Sequence, residues 1–79
     1  MTEQQIQSKK IKELEAEGFY VIKLVQTNKN GIPDLVALHK DKGVKFFEIK
    51  RKNGKLSKLQ EYRIKELKSY GFFAEVYRG

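Results

Sequence analysis

Apolar and polar positions alternate along the chain with two periods, and the changes of period mark six elements. From Glu3 to about Glu17 the spacing predicts a helix. Ile6 and Leu14 share one face, with Ile11 at its margin. Thr2 followed by Gln5 is a capping-box pattern that opens this helix, and Gly18 stops it. Glu3, Gln7 and Lys10 fall on the same face, which is unusual for a stripe that meets a core. Phe19 to Gln26 reads as a strand, and Thr27 to Gly31 as a loop. Asp34 to His39 is a second strand, with Pro33 just before it, where a missing N–H is tolerated. Lys40-Asp41-Lys42-Gly43 is a hairpin turn, Val44 to Lys50 a third strand, and Arg51 to Leu56 a polar loop. Ser57 and Gln60 form a second capping-box pattern, opening a helix to about Tyr70 that Gly71 ends. Leu59, Tyr62, Leu67 and Tyr70 form its expected buried face, with Ile64 a weaker member. Phe72 to Tyr77 is the last strand.

The order is αβββαβ. Short connections make the three middle strands an antiparallel meander. The last strand follows a crossover helix, so it is expected parallel to its predecessor or to a near neighbour. Leu35 and Val36, then Phe46 and Phe47, are apolar on both faces, which predicts a mixed central sheet flanked by helices. The expected fold class is a mixed α/β sandwich in one domain, residues 1–79.

Composition narrows the partners. Lys plus Arg total 17 against 10 Asp plus Glu, a net charge of +7 on 79 residues, which favours a polyanion, nucleic acid before a membrane surface. No cysteine is present, so neither a disulfide nor a thiolate zinc site can reinforce so small a core. No apolar run approaches a membrane span and no secretory h-region opens the chain, so a soluble cytoplasmic protein is expected.

Candidate chemistry sits at the strand ends. Glu48 and Lys50 are two apart on a strand and leave the same face. Asp34 joins that face only if paired residue numbers in the hairpin have an even sum, such as Asp34 opposite Glu48. An odd-length loop, Lys40 to Lys42 with Gly43 in a positive-φ bulge, gives that register; a two-residue Asp41-Lys42 loop does not. Two carboxylates side by side repel unless a cation lies between them. With a lysine alongside, such a pair suits phosphodiester hydrolysis, where negative charge builds at phosphorus. The bland alternative is a cross-strand ion pair on an exposed face, against which Phe46 and Phe47 argue.

Gly31-Ile32-Pro33-Asp34 followed by Glu48-Ile49-Lys50 resembles the signature of the PD-(D/E)XK nucleases, the restriction-endonuclease-like superfamily, and the αβββαβ order is similar to its core. Lys50-Arg51, Gly54-Lys55-Leu56-Ser57 and Gln60 resemble the VRR-NUC branch, which includes stand-alone phage nucleases. The resemblance covers nearly the whole chain. It implies a Mg²⁺- or Mn²⁺-dependent endonuclease, with Asp34, Glu48 and the backbone carbonyl of Ile49 as metal ligands. Lys50 would be the catalytic lysine, and the products would carry 5′-phosphate and 3′-hydroxyl ends. Glu3 matches an acidic site residue on the first helix of this branch, which would account for polar residues on the core-facing stripe. Gln60 is either a site residue or only half of a capping box. Lys23 resembles a polar position near such sites but fits equally as an exposed strand lysine. His39 has no second His or Cys to share a metal with and reads as a solvated side chain.

Lys50, Arg51, Lys52, Lys55 and Lys58 cluster beyond the third strand as a DNA phosphate track, beside a helix terminus that adds backbone N–H groups. No base-reading motif accompanies them. The expected activity is therefore structure-selective, on branched or four-way-junction DNA, rather than sequence-specific. So small a core leaves little surface to grip a duplex, and a homodimer is expected, as in resolvases of similar architecture. No small-molecule cofactor and no membrane partner are expected. The competing readings are a non-catalytic nucleic-acid-binding module and a small RNA-associated protein, neither of which uses the acidic pair.

Overall fold

Both helices begin where the capping boxes put them. In the computed structural model, which describes residues 1–79, α1 spans Glu3–Ala16 and α2 spans Lys58–Ser69. The Thr2 hydroxyl accepts from the Gln5 N–H at 3.2 Å while the Gln5 amide accepts from the Thr2 N–H at 2.9 Å. Ser57 and Gln60 repeat this exchange at 3.1 and 3.0 Å. The strands are β1 (Tyr20–Lys23), β2 (Leu35–His39), β3 (Gly43–Lys50) and β4 (Phe73–Arg78), in sheet order β1-β2-β3-β4. The first three form an antiparallel meander and β4 runs parallel to β3, as the connection lengths require.

The first strand is shorter than its composition suggests. Leu24 still donates to the Asp34 carbonyl at 2.8 Å, but β2 starts only at Leu35, so the residues after Leu24 have no partner strand. The β2–β3 hairpin pairs Leu35 with Phe47 and His39 with Gly43, an even-sum register closed by the loop Lys40–Lys42. Gly43 has φ +79°, the left-handed conformation that this bulge demands and that a side chain would strain. His39 is not merely solvated. It is half-buried against Phe19, ring centroids 5.0 Å apart, and its Nδ1 accepts from the N–H groups of Asp41 and Lys42, both at 3.0 Å.

One face of the sheet lies under α1, where Ile6, Leu14, Phe19, Leu35, Ala37, Phe47 and Ile49 form the core. Lys10 belongs on this stripe because its ammonium sits 4.4 Å from the Tyr77 ring and 4.9 Å from the Phe47 ring. Lys45 likewise lies between the rings of Phe19 and Phe73, at 5.5 and 4.9 Å.

The opposite face is covered only in part, contrary to the expectation of full cover. Helix α2 packs mainly on β4, leaving Tyr20 70% exposed and Ile22 partly exposed on β1. Its inward stripe also differs from the expected one. Ile64 is the buried residue, with Gln60 and Leu67 half-buried, whereas Tyr62 and Tyr70 are 56% and 75% exposed and Leu59 is also exposed. The helix is turned so that Gln60 faces the sheet, and Ile64 and Leu67, one and two turns along, follow it inward. Ile64→Ala should therefore cost about 2–4 kcal/mol, against about 0.5 kcal/mol or less for Tyr70→Ala, as read from urea unfolding.

Candidate active site

The hairpin register carries Asp34 to the position opposite Glu48, one residue beyond the Leu35–Phe47 pair. Both side chains, with that of Lys50, leave the sheet on the α2 side. Asp34 Oδ2 accepts from the Ile49 N–H at 2.8 Å, which fixes the carboxylate at the end of β3. Two further contacts seat the segment leading into it. Gly31 has φ +79°, and a Cβ there would come within 2.7 Å of the Leu59 side chain. Arg63 Nε donates to the Asn30 carbonyl at 2.8 Å, tying the same loop to α2.

Glu48 is 2% exposed, the one charged residue in the interior. Burial pushes its carboxyl up from an ordinary 4.5 to about 8, and the Asp34 carboxyl beside it adds to the rise. The Lys50 ammonium works in the opposite direction, and Glu3 contributes a further push upward. No ion pair forms between Glu48 and Lys50: the chain's single ion pair joins Arg63 to Glu66, at 3.1 Å. The bland reading of an exposed cross-strand pair therefore fails on both burial and contact.

Gln60 completes the cap and also reaches Glu48. Its carbonyl accepts from the Ser57 N–H at 3.0 Å, completing the capping box, and its Nε2 donates to Glu48 Oε2 at 3.4 Å. The two ends of one amide serve the helix and the carboxylate together, and the cap decides which end faces Glu48.

Glu3 is exposed on the first turn of α1. It is near enough to bear on Glu48, yet no cluster of three acidic or imidazole side chains forms. Asp34 and Glu48 are thus the convergent pair, and the chemistry of that donor set, two hard carboxylate oxygens sharing one site, suits Mg²⁺ or Mn²⁺. Lys23 pairs with Leu35 and so leaves the α1 side of the sheet, away from this group.

Arg51, Lys52, Lys55 and Lys58 are all exposed, on the loop after β3 and the first residue of α2, while Lys50 is half-buried. None of them is ion-paired. The loop has an anchor that sequence reasoning missed. Arg78, the last residue of β4, donates through Nη1 to the Arg51 carbonyl at 3.2 Å and to the Gly54 carbonyl. The signal was there in the parallel register, which pairs Arg78 with Lys50, but that register follows only once the sheet is assembled.

Compared with known protein families, residues 1–79 match the VRR-NUC domain over their whole length. The chain belongs to the VRR-NUC family. No curated protein and no solved structure matches it. This PD-(D/E)XK-like family assigns the chain a nuclease-type function, and the four-stranded mixed sheet with two helices is consistent with a restriction-endonuclease-like core. No helix of this VRR-NUC chain is long and apolar enough to cross a membrane.

The raised carboxyl has a signed consequence. In the metal-free fold Glu48 holds a proton that the unfolded chain has released, throughout the interval between 4.5 and about 8. Its contribution to stability is full below that interval and is lost as pH rises through about 8. The melting temperature of the metal-free protein should therefore fall between about pH 5 and about pH 9. Glu48→Gln should flatten that fall and match or exceed wild type at the upper end. A Glu48→Gln protein that unfolds more readily there would mark the carboxylate as structural.

Proposed function

We propose that this VRR-NUC chain is a divalent-metal-dependent endonuclease that hydrolyses DNA phosphodiesters and selects its substrate by branched or four-way-junction structure. The observation that carries the reading is the register-enforced meeting of Asp34 with the buried Glu48, beside an unpaired Lys50. Asp34, Glu48 and the Ile49 carbonyl would hold Mg²⁺ or Mn²⁺. A cation bound there supplies an acidified water and charge neutralisation at phosphorus.

The chain's own residues supply the rest. Lys50, on the same face and free of an ion-pair partner, holds the attacking water or a phosphate oxygen. Gln60 keeps Glu48 in its orientation through the 3.4 Å contact. Glu3 adds negative potential from the α1 side and repels a second carboxylate, so it favours occupancy by a cation. Arg51, Lys52, Lys55 and Lys58 bind the phosphates flanking the cut, giving affinity without reading bases. The products are 5′-phosphate and 3′-hydroxyl ends.

A homodimer completes the reading. Tyr20 and Ile22 on the uncovered half of the sheet, and Leu59 and Tyr62 on α2, leave apolar surface exposed on the side that carries the site. A second copy would cover it and present two sites for paired strand cuts.

Lys50→Ala should lower the rate by about 10²-fold or more in a cleavage assay with Mg²⁺ or Mn²⁺. Duplex, flap, single-stranded and four-way-junction DNA are the substrates to compare. Tight binding with no cutting of any of them would instead favour a non-catalytic nucleic-acid-binding module.

A further inference from the structure

The end of β3 contains a backbone carbonyl that the sheet leaves unused. Within a strand, a residue's N–H and C=O leave on the same side, and successive residues alternate. Lys50 directs its carbonyl toward β4, where it accepts from the Gly79 N–H at 3.3 Å. Ile49 therefore directs both of its backbone groups toward β2, and its N–H meets Asp34 Oδ2 there at 2.8 Å. Continuing the hairpin register two residues past the Leu35–Phe47 pair sets Pro33 opposite Ile49. A residue in that position would exchange two hydrogen bonds with Ile49, giving its own N–H to the Ile49 carbonyl. Proline has no N–H to give. The Asp34 carboxylate takes the Ile49 N–H, and no loop or side-chain donor reaches the Ile49 carbonyl. Pro33 is itself fully buried, so no sheet-edge exposure explains it.

We infer that Pro33 is a positioning residue for the metal. By withholding the one N–H that the register would bring to the Ile49 carbonyl, it keeps that oxygen free, on the same side of β3 as the Asp34 carboxylate. The inference rests on the metal-dependent reading above. A donor at position 33 would pair with the carbonyl and lengthen the β2–β3 ladder by one rung, trading a ligand for a hydrogen bond.

Titrating Mn²⁺ into the protein by calorimetry, without nucleic acid, separates the possibilities. Pro33→Ala supplies the donor and should weaken Mn²⁺ binding by about 10- to 100-fold, with the melting temperature of the metal-free protein unchanged or raised. Its new amide proton should show a through-hydrogen-bond NMR coupling to the Ile49 carbonyl carbon. A semisynthetic chain carrying lactic acid at position 33 has the same methyl side chain as the Pro33→Ala protein but an ester in place of the N–H. It should bind Mn²⁺ within about threefold of wild type, a difference smaller than the tenfold that 1.4 kcal/mol represents. Wild-type affinity in Pro33→Ala, or equal loss in the ester chain, would overturn the inference while leaving the metal site intact. Absence of Mn²⁺ binding by wild type would overturn the metal reading and this inference together.

Discussion

The turn from Lys40 to Lys42 is the constraint on which the far end of the sheet depends. Its odd length, the left-handed Gly43 and the two N–H groups gathered by His39 set the β2–β3 register. A slip of one residue would carry Asp34 to the α1 side and leave Glu48 without its neighbour. It would also move Leu35 and Ala37 out of the core, so packing and chemistry select the same pairing. Residues remote from the site thereby decide whether it exists. His39 belongs to that group through the two N–H groups it gathers at the turn.

The site is electrostatically unfinished as the polypeptide alone builds it. A buried carboxyl beside a second carboxyl, with its lysine neighbour out of ion-pairing distance, is held in its proton-bearing form. The fold tolerates this because the carboxyl can accept from Gln60 and because neutralising a buried acid costs less than leaving it charged and unpaired. The positive surface around it is divided between two tasks. Lys10 and Lys45 are committed to aromatic rings on the α1 side, whereas Arg51, Lys52, Lys55 and Lys58 remain exposed and unpaired on the loop after β3 and the start of α2.

The order of elements, the two caps and the conditional meeting of Asp34 with Glu48 were legible because each rests on local rules: turn length, strand alternation and capping geometry. The rotation of α2 was not. Leu59, Tyr62 and Tyr70 make a heavier apolar stripe than Ile64 with Leu67, and only the pull of Gln60 toward Glu48 shows which stripe turns inward. The bare half of the sheet was likewise hidden, since cover depends on where α2 docks rather than on what β1 contains. Gln60 reads in the sequence as either cap or site residue because the pattern does not show that its amide has two ends, one bonded to Ser57 and the other to Glu48. Arg78 was missed because its partners are backbone carbonyls of a loop distant in sequence, which no side-chain pattern announces.

Arg78 also changes what the basic loop is. A glycine- and lysine-containing connection left to itself would sample many shapes, and each would have to be given up when a phosphate chain arrived. Clamped through the Arg51 and Gly54 carbonyls to the last residue of β4, the loop is already held in one shape. Its charges are displayed as a preset row, so any ligand that met them would cost the loop less conformational entropy. The strand that closes the sheet thus also stiffens this basic surface.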